Sequence, residues 1–265
     1  ERRYITAVTG DGVNDIPAVK AAHIGIAVHN AVDALKSAAD VVLLSSGIGV
    51  IKDAFIEARK VFMRMYSYSI YRISESFRLI MTVLILGVMI HQYPLTPMQL
   101  ILVAFLNDIP IISLAFNRVT YTVRPEGVPV RKRFKISLLF GIIGVLQSII
   151  LFVILRHFGY PLAVIQTAFF LKLIISGHML VFVAHTQKRW WRFFPSRPVI
   201  LATLATSILA SLVASFGIFM TALSTTLLGF VWLWALGWMQ ISELAKGVFY
   251  AHDAKTHPEL TPVAA

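Results

Sequence analysis

Residues 9–17 read Thr9-Gly10-Asp11-Gly12-Val13-Asn14-Asp15-Ile16-Pro17, and this string decides how residues 1–50 are read. Two carboxylates four residues apart sit in a glycine-rich turn, directly after the short apolar run at 4–8. Magnesium prefers a hard oxygen shell built from one or two carboxylates, phosphate and water. Asp11 suits that role. Gly10 and Gly12 permit a tight turn and close approach of a phosphate, because neither carries a Cβ. Asn14 can donate hydrogen bonds to phosphoryl oxygens, and Asp15 can either fix the loop or reach the metal through water. A bare Gly-Asp-Gly is common in surface turns that bind nothing, but the full string is far more specific.

Around this loop, the spacing predicts strands at 4–8, 23–28 and 40–44. Helices are expected at 17–22, with Asn14 or Asp15 placed as its cap, and at 31–39. Alternating strands and helices imply a parallel sheet with covered faces, and ligands of such sheets bind at the carboxyl ends of the strands. A piece this short is expected to be only part of its domain. Residues 49–65 interleave Lys52, Asp53, Glu57, Arg59, Lys60 and Arg64 with apolar residues. No Gly or Pro separates them from the apolar run that follows, so one continuous stalk helix is expected.

Beyond residue 68 the composition changes. The chain of 265 residues is 57% hydrophobic and 14% charged, whereas soluble domains are about 25% charged. Runs of about 20 apolar residues recur. The spans expected are 68–90, 98–117, 137–156, 163–184, 199–220 and 223–243. The net charge of +11 raises the question of nucleic acid, but the bases cluster between apolar spans, so a bilayer is the expected partner and nucleic acid is not. The 117–136 loop holds Arg118, Arg124, Arg131, Lys132, Arg133 and Lys135. The 185–198 loop holds Lys188, Arg189, Arg192 and Arg197, while loops 91–97, 157–162 and 220–224 carry neither Lys nor Arg. The positive-inside rule then places the basic loops, the soluble part and the tail in the cytoplasm. The expected domains are 1–48 (soluble), 49–67 (stalk), 68–250 (membrane) and 251–265 (tail). With no cysteine, thiolate metal sites are excluded.

Ionisable groups inside a bilayer are costly and mark function by default. The first span carries Arg72, Glu75 and Arg78; the second carries Asn107-Asp108-Ile109-Pro110. Asp108 lies half-way along an apolar run, where desolvation favours a protonated carboxyl. Arg78 is expected near it as an internal cation that drives proton release. Glu75 and Arg78, three apart, can share a helix face. Pro110 removes a backbone hydrogen bond and loosens the helix there. Lys172 and His178 are read as structural, Glu243 as interfacial, and Trp190 and Trp191 as interface anchors.

The string TGDGVNDIPA is similar to the hinge motif of the P-type ATPases, the last signature of their haloacid-dehalogenase-like phosphorylation domain. AAHIGIAV, ADVVLL and the charged stalk continue the resemblance. It implies a partial α/β, Rossmann-like domain followed by a helical bundle of six spans, the family's fifth to tenth. It also implies Mg²⁺ and ATP as cofactors, with Asp11 and Asp15 at the metal. Asn14 and Asp15 would lie around the phosphorylated site, and Gly10, Gly12 and Asn14 beside the cofactor.

The run LNDIPIISLAFNRV resembles the sixth span of the plasma-membrane-type (type IIIA) proton pumps. There an aspartate accepts the proton and an arginine of the fifth span assists; Asp108 and Arg78 match. Glu75 stands outside that pattern and joins Asn107 as a candidate by its own chemistry. The implied activity is ATP-driven export of H⁺ across the plasma membrane through an aspartyl-phosphate formed outside this chain. The alternatives are a pump for Mg²⁺, Ca²⁺ or K⁺, a membrane-anchored phosphatase, or a passive transporter. The family's DKTGT and TGE motifs do not occur here. The pump's missing N-terminal part is therefore an expected partner, and this chain alone is expected to be inactive.

Overall fold

A computed structural model describes residues 4–120 and 130–256. Arg124 of the basic loop and tail residues 257–265 lie outside the described residues. The chain divides into two compact units, Glu1–Arg59 and Lys60–Ala265.

In the first unit, strands β1 (Ala7–Gly10), β2 (Ile24–Ala27) and β3 (Val41–Val42) form a parallel sheet in that order. Parallel neighbours need a crossover, and one short helix supplies each: α1 (Ile16–Ala21) and α2 (Asp33–Ala38). The first strand lies later than the expected 4–8. Its pairing runs from Ala7 opposite Ile24 to Gly10 opposite Ala27, which carries the glycine to the strand's carboxyl end. Val19, Ala27, Ala31 and Leu35 form the buried core. Helix α1 lies so close to β2 that a Cβ on Gly25 would sit 2.7 Å from the Val19 carbonyl oxygen. Ile5 and Leu44, at 82% and 89% exposure, remain uncovered.

The remaining helices are α3 (Ile48–Ile90), α4 (Pro97–Ser113), α5 (Val130–His157), α6 (Leu162–Ala184), α7 (Arg197–Phe216) and α8 (Thr225–Thr256). All six are long and apolar enough to cross a membrane. Helix α3 is unbroken over 43 residues. At about 1.5 Å per residue that is roughly 65 Å, about twice the hydrocarbon thickness, so much of it must lie outside the bilayer. Helix α4 opens with a reciprocal cap: Gln99 N donates to Thr96 Oγ1 at 3.3 Å and Thr96 N to Gln99 Oε1 at 2.9 Å. Helix α7 stops at Phe216 rather than the expected 220, because Gly217 takes a left-handed conformation, φ 68°.

Helix α6 is the axis of the second unit. Of its most apolar stretch 89% is buried, against 28–50% for the other five helices. Glu243, expected at the interface, is instead buried in α8 and pairs with Lys246 at 2.8 Å. Lys246 Nζ also donates to the carbonyls of Val183, a free acceptor in the last turn of α6, and of Thr186 and Lys188 in the segment after it.

His185, just past α6, closes a polar knot. Its carbonyl accepts from Ser67 Oγ at 3.1 Å, and its Nδ1 lies 3.4 Å from Asn117 Nδ2. Arg64 Nε donates to the Asn117 carbonyl at 3.0 Å, and Ser196 N to Asn117 Oδ1 at 3.0 Å. Burial, with the Lys246 ammonium nearby, pushes the His185 imidazole down to about 4. Unfolded His185 titrates near 6.5. Between those values the unfolded chain binds the extra proton, so stability falls as pH drops through the window, by up to about 1.4 kcal/mol per pH unit. Thermal unfolding followed from pH 7 to pH 4 should show this loss, and His185→Gln should flatten it.

Candidate functional site

In the first unit the loop after β1 delivers Asp11 to the sheet's carboxyl edge. Val28 N donates to the Gly10 carbonyl at 3.1 Å and Val32 N to the Asp11 carbonyl at 2.9 Å. The loop backbone is thus pinned to the chain that follows β2. Residues Val13–Asp15 make one 3₁₀ turn, after which α1 starts with Pro17 in its first turn, where its missing N–H costs nothing. The expected cap takes another form. Asp15 Oδ2 accepts from Asp11 N at 3.0 Å and from Gly12 N at 3.1 Å, so it clamps the preceding loop and does not cap α1. These two N–H donors hold its carboxyl below the usual carboxylate range. Gly10 is needed for this: a Cβ there would lie 2.5 Å from Asp15 Cβ.

The arrangement separates the two acids. Asp15 spends an oxygen on the loop, and Asp11 and Asn14 are exposed beside it. No group of three or more His, Asp or Glu side chains gathers anywhere among the described residues. A metal at this loop would therefore take Asp11 with phosphate oxygens and water as its other ligands, a set that suits Mg²⁺.

The second unit holds a buried charge centre. Arg78 Nη2 lies 2.6 Å from Glu75 Oε1, with side chains 2% and 6% exposed. The same Nη2 donates to the Leu173 carbonyl of α6 at 2.7 Å, and Asn107 Nδ2 of α4 donates to Glu75 Oε1 at 3.2 Å. Helices α3 and α4 thus meet at one carboxylate, and α6 meets its Arg78 partner. Close approach depends on small residues. A Cβ on Gly144 of α5 would sit 2.4 Å from Arg78 Cδ. One on Gly177 of α6 would lie 3.1 Å from Arg78 Nη2, 3.4 Å from Asn107 Oδ1 and 3.4 Å from the Tyr71 hydroxyl. Glu75 Oε2, Arg78 Nε, Asn107 Oδ1 and the Tyr71 hydroxyl are buried without a hydrogen-bond partner among the described residues. Buried polar atoms rarely stay unpaired, and these four leave both donors and acceptors that water can pair with.

Asp108 is placed differently from expectation. Its side chain is 57% exposed, and its partner is Arg72 of α3 at 3.5 Å rather than Arg78. The reason is helical geometry. Successive residues point about 100° apart, so when Asn107 faces Glu75, Asp108 must look away. Pro110 leaves the Leu106 carbonyl without its helical donor. Helix α4 nonetheless continues to Ser113, and the His178 ring of α6 faces that carbonyl. His178 Nδ1 also lies 2.7 Å from Ser207 Oγ. Tyr71, Gly144 and Gly177 were not legible as site residues, because their part depends on which helices meet.

Residues 4–54 match a family model described as haloacid dehalogenase-like hydrolase. The fold is thus a haloacid dehalogenase-like segment with a small parallel sheet, followed by the six-helix block. Over 93% of its length the chain is 42% identical to a protein of Methanocaldococcus jannaschii named, provisionally, as a cation-transporting ATPase, 31% of which it covers. It is 31% identical to plasma membrane ATPase 2 of Schizosaccharomyces pombe over 94% of the chain and 25% of that relative. With plasma membrane ATPase 1 of Saccharomyces cerevisiae it shares 32% identity over 89% of the chain and 26% of the relative. The chain therefore spans between a quarter and a third of the length of these relatives.

Proposed function

We propose that this chain is the loop-and-membrane portion of a P-type pump that uses ATP to move a cation across the plasma membrane, with H⁺ as the exported ion. The observation that carries the reading is the buried Glu75–Arg78–Asn107 centre, inside a block of six helices suited to a bilayer. Relatives named as cation-transporting and plasma membrane ATPases support it. The sheet's uncovered Ile5 and Leu44 fit a larger phosphorylation domain completed by upstream sequence.

In this reading Asp11 holds Mg²⁺, whose charge offsets that of the phosphoryl group on an aspartate outside this chain. Asp15 keeps the loop closed on its own backbone, and Asn14 reaches the phosphoryl oxygens. Gly12 leaves room for ATP's phosphates, while Gly10 makes room for Asp15. Helix α3, which carries Glu75 and Arg78, begins in the first unit and continues unbroken into the second. Phosphorylation is thus linked to the ion centre along one helix.

Glu75 and Asn107 supply few oxygens for Ca²⁺, which takes six to eight. A carboxyl close to a guanidinium suits a proton better. Asp108, on the outer side of α4, would receive or release the ion. Proton uptake into inverted vesicles by the full-length pump tests this: Asp108→Asn should abolish uptake. Uptake at the wild-type rate would remove Asp108 from the path, and ion movement without nucleotide would refute the pump itself.

A further inference from the structure

Pro110 of α4 has no N–H, so the Leu106 carbonyl lacks the donor that a regular α-helix supplies. Bulk water cannot replace it. Leu106 is 2% exposed and lies in the same apolar cluster as Ile174 of α6 and Ala210 of α7. A buried carbonyl needs a partner, and the group that faces this one is the ring of His178, itself buried.

The ring is held on α7 as well. Nδ1 lies 2.7 Å from Ser207 Oγ, and Nε2 lies 3.4 Å from Thr206 Oγ1, whose hydroxyl donates to the Ala202 carbonyl at 2.7 Å. Among titratable groups Arg78 of α3 acts on the ring. Helices α4 and α7 face it with a carbonyl and hydroxyls, since Asp108 pairs with Arg72. Lys172, also on α6 and also buried, bonds the Gly144 carbonyl and Ser148 of α5 instead. One imidazole therefore joins α4, α6 and α7.

Gly177 links this joint to the ion centre. A Cβ on it would lie 3.4 Å from Asn107 Oδ1. Consecutive residues of α6, Gly177 and His178, thus meet consecutive residues of α4, Asn107 and Leu106. Residues so close on one helix turn together. A rotation of α4 that carried the Leu106 carbonyl off the ring would also carry Asn107 Nδ2 away from Glu75 Oε1, to which it donates at 3.2 Å.

We propose that His178 is a positioning residue for the ion centre: by holding the carbonyl that Pro110 frees, it fixes α4 at the rotation in which Asn107 bonds Glu75. The proposal rests on the reading of Glu75 and Asn107 as the ion site. Pro110 loosens α4 at this turn, and His178 supplies from the next helix the hold that the α4 backbone has given up.

ATP hydrolysis by the full-length pump, measured against pH and against ATP, tests the idea. Asn107 donates to the ionised carboxylate, so a centre without that bond holds a proton more tightly. His178→Leu should therefore move half-maximal hydrolysis to a proton concentration about tenfold lower, the size of a hydrogen bond to a charged group. The KM for ATP should stay unchanged. His178→Gln, whose amide keeps a donor and an acceptor, should move it less. Pro110→Ala restores an N–H for the Leu106 carbonyl, so His178→Leu should cost far less in that background, a coupling that a double-mutant cycle measures. Wild-type proton dependence in His178→Leu overturns the proposal. So do equal effects with and without Pro110→Ala, or a KM for ATP that moves in step, as in a merely damaged pump. If His178→Leu does not fold, its recovery by Pro110→Ala supports the proposal and a failure to recover overturns it. Asn107→Ala separates the two layers. Wild-type proton dependence there means that the ion site lies elsewhere; a shift there without one in His178→Leu removes only the role of His178.

Discussion

Glu75→Ala should destabilise the helical block by about 3–5 kcal/mol, the range seen when one partner of a buried ion pair is removed. Glu75 Oε1 accepts from Arg78 at 2.6 Å and from Asn107 at 3.2 Å. Without it, the Arg78 guanidinium keeps the Leu173 carbonyl as its bonded acceptor and retains a full charge in a closed interior. The cost is therefore that of an uncompensated cation rather than of a lost contact. Glu75→Gln should cost less, because the amide oxygen still accepts from Arg78. A double-mutant cycle separates the causes. In the Glu75→Ala background, Arg78→Met removes the stranded charge and should recover much of the loss. Unfolding of the detergent-solubilised full-length protein, by heat or denaturant, measures each step. If Arg78→Met adds a further loss of its own on top of Glu75→Ala, the two side chains are not acting as a pair.

Asp11→Asn should leave stability nearly unchanged and remove activity. The residue is exposed, and two bonds of its backbone hold the loop: N to Asp15 Oδ2, and carbonyl from Val32 N. Both survive the substitution, so the loop keeps its shape. What changes is the charge offered to a divalent metal. Loss of an outer-shell partner typically costs 10–100-fold in metal affinity or activity, and loss of a ligand should exceed about a hundredfold. ATP hydrolysis by the full-length pump should fall accordingly, with its Mg²⁺ dependence moved to higher concentration. An unchanged Mg²⁺ dependence would remove Asp11 from the metal site. Asp15→Ala is the contrasting case. It deletes the acceptor of two loop N–H groups, so it should loosen the loop and lower the melting temperature of the first unit as well as activity.

Much of this protein is written locally. The loop at 9–17 identifies itself because its chemistry comes from adjacent residues: a glycine at 10 where no Cβ fits, an exposed carboxylate, and a second one within reach of the loop's own N–H groups. The six apolar helices are legible for a similar reason, since the length a bilayer demands is counted along the chain. The α3 helix follows from the absence of Gly and Pro between its charged and apolar stretches.

Partnership across helices is what the tertiary structure decided. Spacing placed Glu75 and Arg78 on one turn, but it could not tell whether Arg78 would meet Asp108. That outcome depends on the rotation of α4 about its axis, which packing against α6 fixes. The buried ends of Glu243 and Lys172 depend likewise on neighbouring helices. A side chain's own sequence shows that it is ionisable, but only the elements packed around it determine whether it meets solvent, a carbonyl or an opposite charge.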